Sequence, residues 1–269
     1  MRMPKCERAM TKRTALLVCL GTSLALACCN SGPSSSGSSS AARDEAAALE
    51  RKAEHIEGLL ARRPLAAQAL DALTLALPDR VWLTEVVFDP TGIQIKGNAP
   101  TNNILADYLT RLYESSDLAD VTLRGSSLKT VRGRERVEFL LAASARDTGT
   151  APPSAAATPA SRLEALEKTL PARQDPSAML RELQRLALES GLQMTKFVPG
   201  VEVAGEFTGE LAATIEVAGG LSDLGRFLRG LAELSRLWVV EKLSLKAVAA
   251  DDPRSDVRAS ISAKAYFAR

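Results

Sequence analysis

Leu105, Tyr108, Leu109 and Leu112 fall at i, i+3, i+4 and i+7, and 119 residues later Leu224, Phe227, Leu228 and Leu231 repeat that spacing. The period puts four apolar side chains on one face of a helix. Behind the first stripe, Leu118 and Val121 match Leu237 and Val240 behind the second at the same offset. A sequence of this kind folds as two versions of one small module, and no catalytic motif competes with that signal.

The segments around each stripe fill out the module. Leu70, Leu73 and Leu77 mark a helix over about 65–77, after Arg63-Pro64 breaks the helix before it; proline clashes with the preceding turn. Residues 81–88 are rich in β-branched and aromatic side chains and read as a strand. Asp89-Pro90-Thr91-Gly92 is a hairpin turn, because proline presets φ and glycine accepts a positive φ. Ile93 and Ile95 alternate with polar residues in the return strand, and Thr101 supplies an N-cap for the first striped helix. Residues 121–131 and 136–143 form a further strand pair. Residues 147–161, rich in Ala, Pro and Thr, form a semi-extended linker.

The second half repeats the order. Asp175 caps a helix with Pro176 at its first position, Met179, Leu180, Leu183 and Leu186 are its core stripe, and Gly191 ends it. Strands follow over 192–198 and 211–217, then the second striped helix, then strands over 239–248 and from 257. In the last strand Val257, Ala259, Ile261, Ala263, Ala265 and Phe267 alternate with Arg258, Ser260, Ser262, Lys264 and Tyr266, which predicts one covered and one solvated face. Each half therefore reads as αββαββ, a permuted ferredoxin-like order. The expected fold class is α+β, two tandem two-layer modules in which two helices cover a four-stranded sheet.

Apolar residues make up 46% of the chain but aromatics only 4%. Aliphatic side chains must then fill the core, and the stacking platforms of single-stranded nucleic-acid binding are scarce. Of 34 Lys and Arg against 32 Asp and Glu, five (Arg2, Lys5, Arg8, Lys12, Arg13) and one (Glu7) fall in the first 27 residues, which leaves 29 against 31 and a net charge of −2. Charge thus argues against a polyanion binder.

Residues 1–27 address the membrane. A basic start precedes the apolar run 14–27, which is shorter than the ~20 residues of a spanning helix and fits the core of a secretory signal. Ala25-Leu26-Ala27-Cys28 looks like a lipobox with Cys28 as the lipidated residue; Leu26-Ala27-Cys28-Cys29 is the competing frame, with Cys29 lipidated. An uncleaved short anchor is the other reading of the run. Residues 28–41 form a Ser/Gly tether. From 42 to 63, Ala42, Ala46, Leu49, Ala53, Ile56 and Leu60 make a short heptad seam, either a partner coiled coil or a helix packing on its own domain. The expected division is 1–27 signal, 28–41 tether, 42–63 helix, 64–146 first module, 147–161 linker and 162–269 second module.

His55 is the one histidine in the sequence and sits on a charged helix face, so His-based triads and metal sites have no material in the modules. Cys6, Cys19, Cys28 and Cys29 all precede the modules. No enzyme activity and no cofactor is expected. The candidate partner surface comprises Arg132, Arg134 and Arg136 at a hairpin tip, Trp82 and Trp238 opening strands, and Tyr266 on the outer face of the last strand; core packing is the competing reading for the tryptophans and a solvated turn for the arginines.

Leu77-Pro78-Asp79-Arg80-Val81-Trp82-Leu83-Thr84, Ile95-Lys96-Gly97-Asn98-Ala99 and Leu112-Tyr113-Glu114-Ser115-Ser116 resemble the periplasmic domain of the PilN family. Leu180 through Gly191-Leu192, Phe197-Val198-Pro199-Gly200, Gly219 through Phe227 and Leu237 to Leu245 resemble the PilO family. The resemblance covers about 65–269. It implies a structural subunit of the inner-membrane alignment complex of type IV pili, with the PilN and PilO parts fused and partners among a PilP-like lipoprotein, the secretin complex and pilus platform proteins, and with self-dimerisation through the ferredoxin-like modules open. The cytoplasmic motif by which PilN engages PilM has no counterpart near the start of this chain. Implied location is the periplasm, lipid-anchored, at the inner membrane by family and with the outer membrane open. Alternatives are a type II secretion platform protein (GspL/GspM-like) and a ligand-binding periplasmic lipoprotein.

Overall fold

The computed structural model describes residues 36–131, 133–146, 159–167, 170, 175–249 and 256–268. In chain order the elements are α1 (Ser36–Arg62), α2 (Leu65–Leu75), β1 (Trp82–Asp89), β2 (Gly92–Ala99), α3 (Asn102–Glu114), β3 (Leu118–Val131), β4 (Arg134–Ala145), α4 (Pro159–Glu167), α5 (Pro176–Ser190), β5 (Gln193–Ala204), β6 (Thr208–Gly219), α6 (Leu221–Glu233), β7 (Leu237–Ala247) and β8 (Val257–Ala268). The two striped helices α3 and α6 correspond at both ends under the 119-residue offset.

All eight strands join one antiparallel sheet, ordered β3-β4-β2-β1-β7-β8-β6-β5. Each half contributes the same internal order, β1-β2-β4-β3 and β5-β6-β8-β7. They meet at β1 and β7, where Glu85, Val86, Val87 and Phe88 oppose Lys246, Leu245, Ser244 and Leu243.

Local chemistry fixes the elements. Asp89 Oδ1 accepts from Thr91 N at 2.8 Å and Gly92 N at 3.1 Å, closing the β1–β2 turn, and Gly92 has φ +152°. Thr101 and Asp175 cap α3 and α5 by accepting from Ile104 N and Ser177 N, and Gly191 ends α5 in the left-handed conformation. A device unread in the sequence recurs in both halves. Phe139 on β4 opposes Gly97 on β2, and Phe267 on β8 opposes Gly209 on β6. Each ring lies over the glycine, so an added Cβ would fall 2.5 Å from Phe139 and 2.1 Å from Phe267. An aromatic covering a strand glycine restores the packing the glycine lacks.

One sheet face carries α2, α3, α5 and α6 as a continuous layer over the main core. The layer crosses the junction between halves, since α2 packs on α6, and Tyr108 Oη on α3 donates to Leu73 O on α2 at 3.5 Å. The repeated stripe is core: Leu105, Tyr108, Leu112, Leu224, Phe227, Leu228 and Leu231 are all buried. Among the described residues, the opposite face is covered over part of its area. There Ala53, Ile56 and Leu59 of α1 pack with Leu163 and Leu166 of α4, Leu170, and Leu237, Val239 and Tyr266 of the sheet.

Three sequence expectations are corrected by this layer. The expected tether extends through residue 41, but helix α1 begins at Ser36. The expected linker extends through 161, but Pro159–Glu167 is helix α4; proline suits a first helical turn because its missing N–H is an orphan there anyway. The outer face of β8 was expected to be solvated, but the α1–α4 pair buries its C-terminal end at Tyr266. Between the two readings of the 42–63 seam, the structure takes packing on the chain's own sheet.

Candidate functional site

Three features of the fold are surfaces that can position or recognise a protein: the junction between halves, the helical strap, and the two free sheet edges.

Glu85 is the polar centre of the junction. It lies on β1 directly opposite Lys96 of β2 and Lys246 of β7, with Nζ–Oε distances of 2.7 and 3.3 Å. The hydrogen bond from Lys96 is the largest influence on its carboxyl and, with the weaker one from Lys246, holds it below the ordinary carboxylate range against the opposing effect of burial. On the helix side, Asp71 of α2 faces Arg229 of α6 at 3.4 Å, and burial raises its pKa. Gly225 of α6 allows this approach, because a Cβ there would stand 3.1 Å from Asp71 Oδ1.

The strap has its own polar clasp. Arg162 Nη2 of α4 donates to both carboxylate oxygens of Glu57 on α1 at 2.6 and 2.8 Å, with both side chains mostly buried. Lys52 and Glu167 make a second pair at 2.5 Å. Just beyond α1, Arg63 Nη2 donates to Leu234 O, the C-cap carbonyl of α6, and to Arg236 O, just before β7. Burial lowers the Arg63 pKa. A side chain from the start of the first half thus closes a helix of the second.

β3 and β5 are the two edges. Residues 122–130 of β3 and 198–204 of β5 are exposed throughout. Leu123 and Leu128 stand out of β3, and Val198, Val201 and Val203 out of β5, the last two 79% and 56% exposed. The strand expected over 192–198 runs on to Ala204, past Pro199-Gly200, which would break a regular strand. The bulge between Pro199 and Glu202 absorbs that break and the strand continues. The alternation Val201-Glu202-Val203 was the available signal.

The predicted site residues scatter. Trp82 is half-buried on β1 with the Arg136 guanidinium 5.2 Å from its ring centroid, so these two come together. Arg134 opens β4, and its side chain, like Arg132, Cys28 and Cys29, lies outside the described residues. Trp238 is 1% exposed within the main core, with no hydrogen-bond partner for its Nε1, and Tyr266 is 5% exposed beneath the strap. Neither is surface, because the helical layer covers the one and α1–α4 the other. Among the described residues no group of three or more His, Cys, Asp or Glu is placed to hold a metal, and no helix is long and apolar enough to cross a membrane.

Comparison with known proteins divides the chain where its two halves divide. Residues 68–145 match the family described as fimbrial assembly protein (PilN), and residues 175–269 match the type IVa pilus alignment subcomplex PilO C-terminal domain. The type IV pilus inner membrane component PilO of Pseudomonas aeruginosa is 35% identical over 102 residues, 38% of this chain and 49% of that protein. The chain thus spans about half the length of this curated relative. The crystal structure of the type 4 fimbrial biogenesis protein PilO from the same organism is 30% identical over 43% of this chain and 91% of that one, with a TM-score of 0.35. A structure of the core region of PilO from the P. aeruginosa type IV pilus system is 35% identical over 34% and 92% of the two chains, with a TM-score of 0.31.

Proposed function

The chain belongs to the PilN/PilO family of type IV pilus proteins, and from that premise we propose that it is a non-enzymatic scaffold in which a PilN-like module (64–146) and a PilO-like module (162–269), each of permuted ferredoxin-like order, act as one rigid unit of the pilus alignment complex. The observation that carries this reading is the β1–β7 pairing, which makes one sheet of the segment matched by PilN and the segment matched by PilO. Joining two modules in one chain raises the effective concentration of each for the other and enforces one-to-one pairing.

In this reading residues 1–27 export the chain, Cys28, or Cys29 in the competing frame, carries the lipid, and α1 holds the module at a fixed orientation to the inner membrane. Partners are a PilP-like lipoprotein, the secretin complex and pilus platform proteins, with the half-buried Trp82–Arg136 pair and the hairpin tip at Arg132 and Arg134 as contact candidates. Cross-linking pull-down from the host bacterium should recover pilus or secretin components, and recovery of none contradicts the proposal. Deletion of the gene should abolish twitching motility while leaving exoprotein secretion intact; the opposite pattern would assign it to type II secretion.

A further inference from the structure

We propose that copies of this chain associate edge to edge, β5 of one against β3 of the next, extending the sheet and the helical layer in the way the two halves already join within one chain. The proposal stands on the fold alone and does not depend on the pilus reading.

The repeat supplies the geometry. β1 and β5 occupy the first position of the shared strand order, and β7 and β3 the last. The junction inside the chain is therefore a first-position strand paired antiparallel with a last-position strand, with α2 lying on α6 above it. Applied once more, the same operation sets β5 against a neighbour's β3 and α5 against its α3. Among the described residues, these are the edges left unpaired.

Their surfaces fit that operation in three respects. First, exposed large apolar side chains concentrate there. Tyr113 on α3 with Leu123 and Leu128 on β3 mark one end, and Leu188 on α5 with the three β5 valines marks the other; among the described residues the remaining members of this class are Leu75 and Val248. Long exposed apolar edges are what folded monomers avoid. Second, shape is complementary on the face bearing the strap. Val198 and Val203 oppose Thr214 and Glu210, and Val201 shares their face by alternation. On the same face β3 presents Gly125 and Ser127 beside Leu140, a hollow of about 400 Å³ that also touches Lys96 and Glu138. Third, charge is complementary. Residues 121–131 carry Arg124 and Lys129, the latter also ion-paired with Glu138 of β4, and no acid, whereas 198–206 carry Glu202 and Glu206 and no base. Pairing β3 with β3 or β5 with β5 sets like charges against each other, which is destabilising across strands. The contact is therefore heterologous and propagates, closing into a ring if the rotation permits and otherwise into a filament.

The test uses the full chain purified in detergent. Equal amounts of unlabelled and heavy-nitrogen copies are mixed, with a photo-crosslinking residue at Val201, and sedimentation velocity is run in parallel. Expected are light–heavy cross-links from residue 201 into 118–131 and a concentration-dependent ladder of species. Glu202→Arg/Glu206→Arg should weaken association about tenfold or more, the factor that corresponds to 1.4 kcal/mol, and adding Arg124→Glu/Lys129→Glu should restore it. Val201→Lys/Val203→Lys should abolish it while leaving the thermal melt in place, since both positions are exposed. A single monomeric species at all concentrations, cross-links from β5 to β5, light–light cross-links only, or failure of the second charge reversal to rescue the first would each overturn the proposal.

Discussion

Replacing Ile56 by Ala probes the strap where it is most specific. Ile56 is fully buried, and its surroundings are the small second cluster of Leu163, Leu166, Leu170, Leu237, Val239 and Tyr266. Truncating a buried Ile to Ala costs roughly 2–5 kcal/mol, with the lower end applying where the site can collapse. A helix pair resting on one sheet face can settle by rigid motion, so about 2–3 kcal/mol is expected here. That cost should fall on undocking of α1 and α4 and not on global unfolding, because the main core lies on the other side of the sheet. Local opening free energies are read by amide exchange. A loss of about 2–3 kcal/mol corresponds to roughly 30- to 150-fold faster exchange of α1 and α4 amides, at 1.4 kcal/mol per factor of ten. The amides of β1, β2 and β4 should keep their protection. Tyr266 supplies an independent readout. Burial raises its pKa foremost, so undocking should lower its ionisation midpoint towards that of a free tyrosine. Uniform loss of protection across the sheet, or unchanged exchange in α1 and α4, would refute the strap as a separate unit.

Further perturbations discriminate other parts of the account. Gly97→Ala places a Cβ 2.5 Å from the Phe139 ring and 2.7 Å from the Trp82 carbonyl oxygen, so urea unfolding should show a loss of about 1–3 kcal/mol. Gly125→Ala, which meets nothing within 4 Å, should be neutral or stabilising by up to about 1 kcal/mol. Glu85 has a depressed pKa in the fold; its contribution is present above the unfolded carboxylate value of about 4.3 and is lost as pH falls through the folded value. Glu85→Gln should therefore cost about 0.5–1 kcal/mol at neutral pH, after screening at the two exposed lysines, and converge with the parent in acid; a pH-independent difference would contradict the ion-pair origin. Asp175→Ala removes the α5 cap and should lower stability by about 1 kcal/mol, whereas Asp175→Ser should not.

What the sequence disclosed and what it withheld have physical reasons. The striped helices were legible because a 3.6-residue apolar period is a local property, and so were the Asp89–Gly92 turn and the Asp175–Gly191 helix, whose ends are set by cap chemistry within a few residues. The union of the halves was not legible. β1 buries Leu83, Val86 and Phe88 in the core and half-buries the rest, and β7 carries apolar residues on both faces, but no local pattern says which strand each will meet. Helix α4 was hidden because Pro159-Ala160-Ser161 has linker composition, and it becomes helical where α1 offers Glu57 and Ile56 to receive Arg162 and Leu163. That docking also buried Tyr266, which alternation alone had placed in solvent. A strand start such as Trp238 fits both interface and core, with core the favoured reading, and the helical layer decides for core. The glycine–phenylalanine pairs lie on separate strands at unequal offsets, 97 and 139 against 209 and 267, so no constant-offset comparison exposes them.

The central claim is that the PilN-matching and PilO-matching halves form one sheet through β1 and β7. Val87 and Ser244 stand directly opposite across that seam, so Val87→Cys/Ser244→Cys should close an intramolecular disulfide under mild oxidation. Peptide mass mapping should find residues 87 and 244 linked within one chain, while the displaced control Val87→Cys/Ser260→Cys should remain reduced. Failure of the 87–244 bridge to form, or its formation only between chains, would contradict the account.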